Sequence, residues 1–188
     1  GSLILCHSHP EIVQSVQQQM SKGTHLSGSS DLEMEWATHV IDLIPSAEKV
    51  RFHSSGTEAD MMALRMSRAY TGKSKVIKFQ DHFHGWSDYL VADGDGLGGI
   101  PKETLSTVIV LPANDAQALE DTLKNDSDIA AIIIEPTGAH MGLEPVLPSF
   151  LEEVRSLSSE YGVVLIFDEV VTGFRISNGG AQKHHGIT

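Results

Sequence analysis

Three short segments carry residue types that could do chemistry together. Ser54-Ser55-Gly56-Thr57-Glu58-Ala59 reads as the junction between an extended run and a helix. At such a junction, free backbone N–H groups and the positive end of the helix dipole attract an anion. Gly56 lets a ligand approach the backbone, and Ser55 and Thr57 add hydroxyls, so a phosphate could be cradled there. The same hydroxyls could equally serve as helix caps alone. Gln80-Asp81-His82-Phe83-His84-Gly85-Trp86 follows a second extended run, where ligands of open α/β sheets bind and where aromatic rings can stack on a planar molecule. A surface turn with one ring tucked into the core is the bland alternative. His82 and His84 form an H-x-H pair, but zinc needs three or four ligands, so stacking is preferred and no metal is expected. Asp168-Glu169-Val170 directly follows the apolar run VVLIF. A carboxylate at the end of a buried strand needs a partner for its charge. The protonated nitrogen of a pyridine would serve, and an anion there makes the ring a better electron sink. A salt bridge or helix cap would also satisfy it. Glu135-Pro136, after AIII, repeats the arrangement one strand earlier.

These segments need a frame that brings strand ends to one rim. Short apolar runs occur at 49–54, 75–80, 107–112, 129–136 and 162–170, with helical stretches near 57–71, 114–124 and 148–160. Such alternation predicts βαβ units and a parallel or mostly parallel sheet with helices on both faces, an α/β fold. IAAIII and VVLIF are apolar on both parities, which predicts strands in the middle of the sheet. Two helices are expected earlier, over 9–22 with Gly23 as its stop, and from Asp31 to a point before Pro45. Residues 1–45 therefore read as a helical lead-in and 46–188 as part of a ligand-binding α/β domain. The glycine-rich run from Asp93 to Gly99 lacks the strand-and-helix context of a dinucleotide loop. It also places Leu97 and Thr104 where a calcium loop needs ligands, so it reads as a flexible loop.

The chain has 188 residues and a formal charge of −12, which disfavours nucleic acid as a partner. No apolar run is long enough to cross a bilayer, and no signal peptide is evident. Cys6 is the single cysteine, so an intramolecular disulfide is impossible and a reducing, cytoplasmic setting is expected. The abrupt ends read like part of something longer.

Taken together, HPEI, KVRFHSSGTEADMMALRMSRAYTGKSKVIKF, the FHGW loop, IIIEPTGAHMG and LIFDEVVTGFR resemble the class III aminotransferases of the fold-type I pyridoxal-phosphate enzymes, nearly end to end. The resemblance is strongest to the glutamate-1-semialdehyde-type aminomutase branch. It implies pyridoxal 5'-phosphate as cofactor, small amino and keto substrates, amino-group transfer through a Schiff base, and a homodimer. It implies that Ser55, Gly56 and Thr57 bind the phosphate, that Phe83 and Val170 press on opposite faces of the ring, and that Asp168 pairs with the ring nitrogen. His84 joins Phe83 in the same loop, Glu135 lies beside the site, and His140 stands where aminomutases usually have asparagine near the phenolic oxygen. The family's catalytic lysine lies beyond Thr188, so no lysine present is assigned to catalysis and the chain alone is expected to be inactive. Two further family strands would lie between the run at 49–54 and the run ending at Asp168. A non-catalytic module that binds the cofactor or a phosphate is the alternative. Intact-mass measurement on the natural source is expected to find a polypeptide heavier than this chain.

Overall fold

A computed structural model describes residues 3–25, 27–91 and 98–188, with His140 and Met141 described through their backbone alone. Asp93–Leu97 of the glycine-rich run lies outside the described residues. The chain forms two compact units, Gly1–Arg51 and Phe52–Thr188.

The first unit holds helices α1 (Pro10–Met20) and α2 (Asp31–Leu43). Pro10 opens α1, where its missing N–H has no intrahelical acceptor to lose. Ser30 caps α2 by accepting the Glu33 N–H at 3.2 Å. Ile12, Val13, Val16 and Met20, whose spacing predicts α1, are all exposed. None of the described helices is long and apolar enough to cross a membrane.

The second unit runs α3 (Gly56–Thr71), β1 (Lys75–Phe79), α4 (Lys102–Leu105), β2 (Val108–Leu111), α5 (Ala116–Asn125), β3 (Ile129–Ile134), α6 (Ala139–Gly142), α7 (Pro148–Glu160), β4 (Val164–Phe167) and α8 (Gly180–His185). Its four strands lie in the order β2-β1-β3-β4, and every pairing is parallel. Alternate residues of a strand point to opposite faces, so each strand feeds two cores. On one face Ile77, Phe79, Ile132 and Ile134 pack with Leu119 and Leu123 of α5 and Phe150, Leu151 and Val154 of α7. On the other, Val76, Ala131 and Ile133 pack with Leu64 of α3 and with Leu90. The α/β reading, with a parallel sheet and helices on both faces, is what the structure has.

Two expectations differ. The run at 49–54 forms no strand, because none of the described strands lies beside it to complete a ladder. Residue types alone cannot supply that partner. β3 is buried along its length as expected, but β4 is only half-buried, since it pairs with β3 on one side alone.

Two lysines of β1 are committed locally. Lys78, buried within β1, donates from Nζ to the Leu90 carbonyl at 2.9 Å. Lys75 pairs with Asp126 at 2.6 Å.

Phe150 sets its ring edge-on against Phe79, with centroids 5.4 Å apart, where α7 meets the sheet. Truncating such a buried ring removes transfer energy and leaves a cavity. Phe150→Ala in the full-length protein is therefore expected to lower unfolding free energy by about 3–5 kcal/mol, read as a lower denaturation midpoint.

Candidate functional site

The amino end of α3 is finished by its own side chains. Ser55 is the N-cap, and its Oγ accepts the Glu58 N–H at 3.3 Å. Glu58 reaches back, its Oε2 accepting the Ser54 N–H at 2.9 Å and the Ser55 hydroxyl at 3.4 Å. This reciprocal cap leaves the N–H groups of Gly56 and Thr57 without an acceptor among the described residues. Ser55 thus caps the helix, and the Gly56 and Thr57 N–H groups stay open at its start. Thr57 Oγ1 also accepts the Trp86 N–H at 3.3 Å, tying the FHGW loop to the helix. Gly85 sits at φ +83, and a Cβ there would fall 2.2 Å from Thr57 Oγ1. A Cβ on Gly56 would fall 2.8 Å from Val170 Cγ2. The α3 start, the FHGW loop and the residues after β4 thus converge.

Asp168, buried at the end of β4, is met from two directions. His84 Nδ1 lies 2.8 Å from Asp168 Oδ2, and the Val170 N–H donates to Oδ1 at 3.0 Å. Both side chains of the His84–Asp168 pair are enclosed. His84 Nε2 is buried with no hydrogen-bond partner among the described residues. Asp60 completes the group. One ligand atom from each of Asp60, His84 and Asp168 lies within 4.8 Å of the other two. Burial, then the charge of Asp168, a hydrogen bond to Asp168 and the charge of Glu135, push the Asp60 carboxyl up to about 8.

Glu135, just past β3, orders the FHGW loop from below. Its Oε2 accepts the Phe83 N–H at 2.8 Å, and its own N–H donates to His82 Nδ1 at 3.0 Å. The two histidine rings stand 6.1 Å apart, His82 Nδ1 accepting the Glu135 N–H and His84 Nδ1 lying against Asp168. His82 and His84 are the buried rings of this loop, whereas Phe83 and Trp86 are exposed and meet edge-on at 5.9 Å. The tucked ring of the bland alternative is therefore histidine, and the aromatic surface is left open. Val170 is 66% exposed and Phe83 56%, so both offer apolar surface to a planar ligand.

Among the residues expected from the sequence, Gly56, Thr57, Phe83, His84, Glu135, Asp168 and Val170 come together through these contacts, with Ser55 at their edge. The His140 side chain lies outside the described residues. Asp60 was missed. Asp60, Leu64 and Ser67 form the buried stripe of α3, and an acid on such a stripe needs a partner, but residue types alone do not mark that burial. Glu169, beside Asp168, turns the other way. It accepts the Ala181 and Gln182 N–H groups at the start of α8, and the Thr172 hydroxyl at 2.7 Å.

A parallel sheet whose strand ends meet a helix amino terminus at one rim defines the ligand-binding class of α/β proteins. The model for class-III aminotransferases matches residues 1–188, and the chain belongs to that family. It is 44% identical over 198 aligned residues to a glutamate-1-semialdehyde 2,1-aminomutase of Desulfotalea psychrophila, covering 100% of this chain and 46% of that protein. Its structure resembles an omega-transaminase from Sphaerobacter thermophilus, with a TM-score of 0.93 and 35% identity over 100% of this chain and 46% of the other. A transaminase with PLP bound gives a TM-score of 0.92 at 32% identity, again over 100% and 46% of the two chains. The chain thus spans about half the length of the relatives it matches.

The raised Asp60 carboxyl sets a pH dependence of stability. Asp60 holds its proton in the folded state between the ordinary aspartate value of 3.8 and about 8. The stabilising contribution of that proton is complete below the lower value and is lost as pH rises through the upper one, by up to about 1.4 kcal/mol per pH unit. In the full-length protein, Asp60→Asn is expected to be more stable than the parent near pH 8. Denaturant titrations should show the difference shrinking toward pH 4.

Proposed function

We propose that the full-length protein binds pyridoxal 5'-phosphate and transfers an amino group between or within small amino and keto substrates, as an aminotransferase or aminomutase. The observation that carries this reading is the pairing of a buried carboxylate, Asp168, with the open N–H groups of Gly56 and Thr57 on one rim, joined through the Val170–Gly56 contact. A phosphate anion and a cationic ring nitrogen on one small molecule match those two poles. Phe83 and Val170 both offer exposed apolar surface, which suits a planar ring. The donor set therefore fits the cofactor.

When bound, the cofactor supplies the electron sink for amino transfer. The chain's own residues hold and orient it. Gly56 and Thr57 bind the phosphate, with Ser55 fixing the helix turn that presents them. Phe83 covers one ring face and Val170 the other. Asp168 keeps the ring nitrogen protonated, and His84 fixes the position of Asp168. Glu135 anchors the backbone of Phe83. His140 is assigned to the phenolic oxygen on sequence grounds alone. The lysine that links covalently to the cofactor is assigned to the longer protein, of which residues 46–188 form part of the cofactor-binding domain. Exposed Ile12, Val16, Met20 and Trp36 in the first unit support a homodimer that covers them. A single cysteine is compatible with the cytoplasm.

Adding pyridoxal 5'-phosphate to the full-length protein is expected to give a new visible absorbance band that changes when an amino donor is added. Asp168→Ala should slow amino transfer by roughly a hundredfold or more. Gly85→Ala, which drives a methyl group into Thr57, should weaken cofactor binding. Absence of any change in absorbance or thermal stability on adding the cofactor would sink the reading.

A further inference from the structure

Asp60 has no part in the function proposed above, yet it touches the residue at its centre. It lies on α3 one turn past Gly56 and is 7% exposed. Its carboxyl meets that of Asp168 in a cluster completed by His84. Two buried carboxylates side by side repel each other, and both cannot be ionised without a cation between them. One shared proton removes the conflict, and the hydrogen bonds say where it resides. Asp168 Oδ1 already accepts the Val170 N–H, and its Oδ2 lies 2.8 Å from His84 Nδ1. The Asp60 carboxyl faces that of Asp168, with an oxygen of each within 4.8 Å of the other. An acceptor supplied with donors keeps its charge, and its neighbour with an acceptor to address carries the proton.

We propose that Asp60 is a positioning residue whose neutral carboxylic acid donates a hydrogen bond to Asp168, so that the Asp60–His84–Asp168 cluster presents one negative charge rather than two to the cofactor's ring nitrogen. This role rests on the reading that the site takes pyridoxal 5'-phosphate. With Asp60 neutral, one carboxylate faces one cationic ring nitrogen, and the buried charges cancel. The third hydrogen bond also spreads the charge of Asp168, so it holds the ring proton by attraction and does not take it. The other charged or titratable groups around Asp60 are consistent with this. Glu135, at the end of β3, adds negative charge that favours the neutral acid. His84 addresses Asp168, and Lys78 on β1 directs its Nζ to the Leu90 carbonyl.

The test starts with the full-length protein free of cofactor. The infrared difference spectrum between parent and Asp60→Asn at neutral pH is expected to show the carbonyl stretch of a protonated carboxylic acid. The alkaline-minus-neutral spectrum of the parent, labelled with 13C-aspartate, reads the same band without any substitution. Titration with pyridoxal 5'-phosphate then measures the coupling. Asp60→Ala is expected to bind it about tenfold more weakly than Asp60→Asn, because the amide can replace the donor and a methyl group cannot. The alkaline inflection in the parent's affinity should vanish in both variants. Cofactor binding without the infrared band, or equal affinity in the two variants, overturns the role of Asp60 and leaves the cofactor reading standing. The band without cofactor binding overturns the cofactor reading and the role built on it.

Discussion

A carboxylate cannot end a buried strand unsupported, and Asp168 does so at the rim of this sheet. Its neighbours come from three elements. The loop after β1 sends His84, the turn after β4 folds the Val170 N–H back, and α3 supplies Asp60. Each needs its own element at a fixed height above the sheet. A shift of one residue in β4 would turn Asp168 to the opposite face. The need to satisfy one charge therefore sets the register of the strands and the seat of α3 together.

β3 makes that arrangement rigid. Flanked by β1 and β4 and covered on both faces, it carries Glu135 out to the rim from the most enclosed part of the sheet. Glu135 then ties the backbone of Phe83 and faces His82. The aromatic loop is thereby held by hydrogen bonds to a strand end, which leaves the Phe83 ring free to meet a ligand.

Much of this was legible in the sequence, for physical reasons. IAAIII announces a doubly covered strand, and the alternation of apolar runs with helical stretches announces parallel βαβ units. Glu135 and Asp168 directly follow strands and Phe83 and His84 lie in the loop after β1, and a parallel sheet brings such ends to one rim, where Gly56 and Thr57 open α3. Other features depend on partners that local sequence does not name. The run at 49–54 has strand-like residues but pairs with none of the described strands. VVLIF has the composition of a central strand and the place of an edge. Asp60 reads as one more polar residue of a helix until its burial is known. The division of labour between Asp168 and Glu169, adjacent acids facing opposite duties, becomes visible only once α8 is placed.

The reciprocal cap at Ser55 and Glu58 has a thermodynamic consequence. A helix end that relies on its ligand to satisfy its first turn frays when empty, and binding must then re-order it. Here the turn is closed by side chains of the same helix, so its ordering entropy is spent during folding. An anion arriving there, as proposed, would find the Gly56 and Thr57 N–H groups already aimed. Affinity at this end of the site should therefore be limited by desolvation of the ligand and little by rearrangement of the protein.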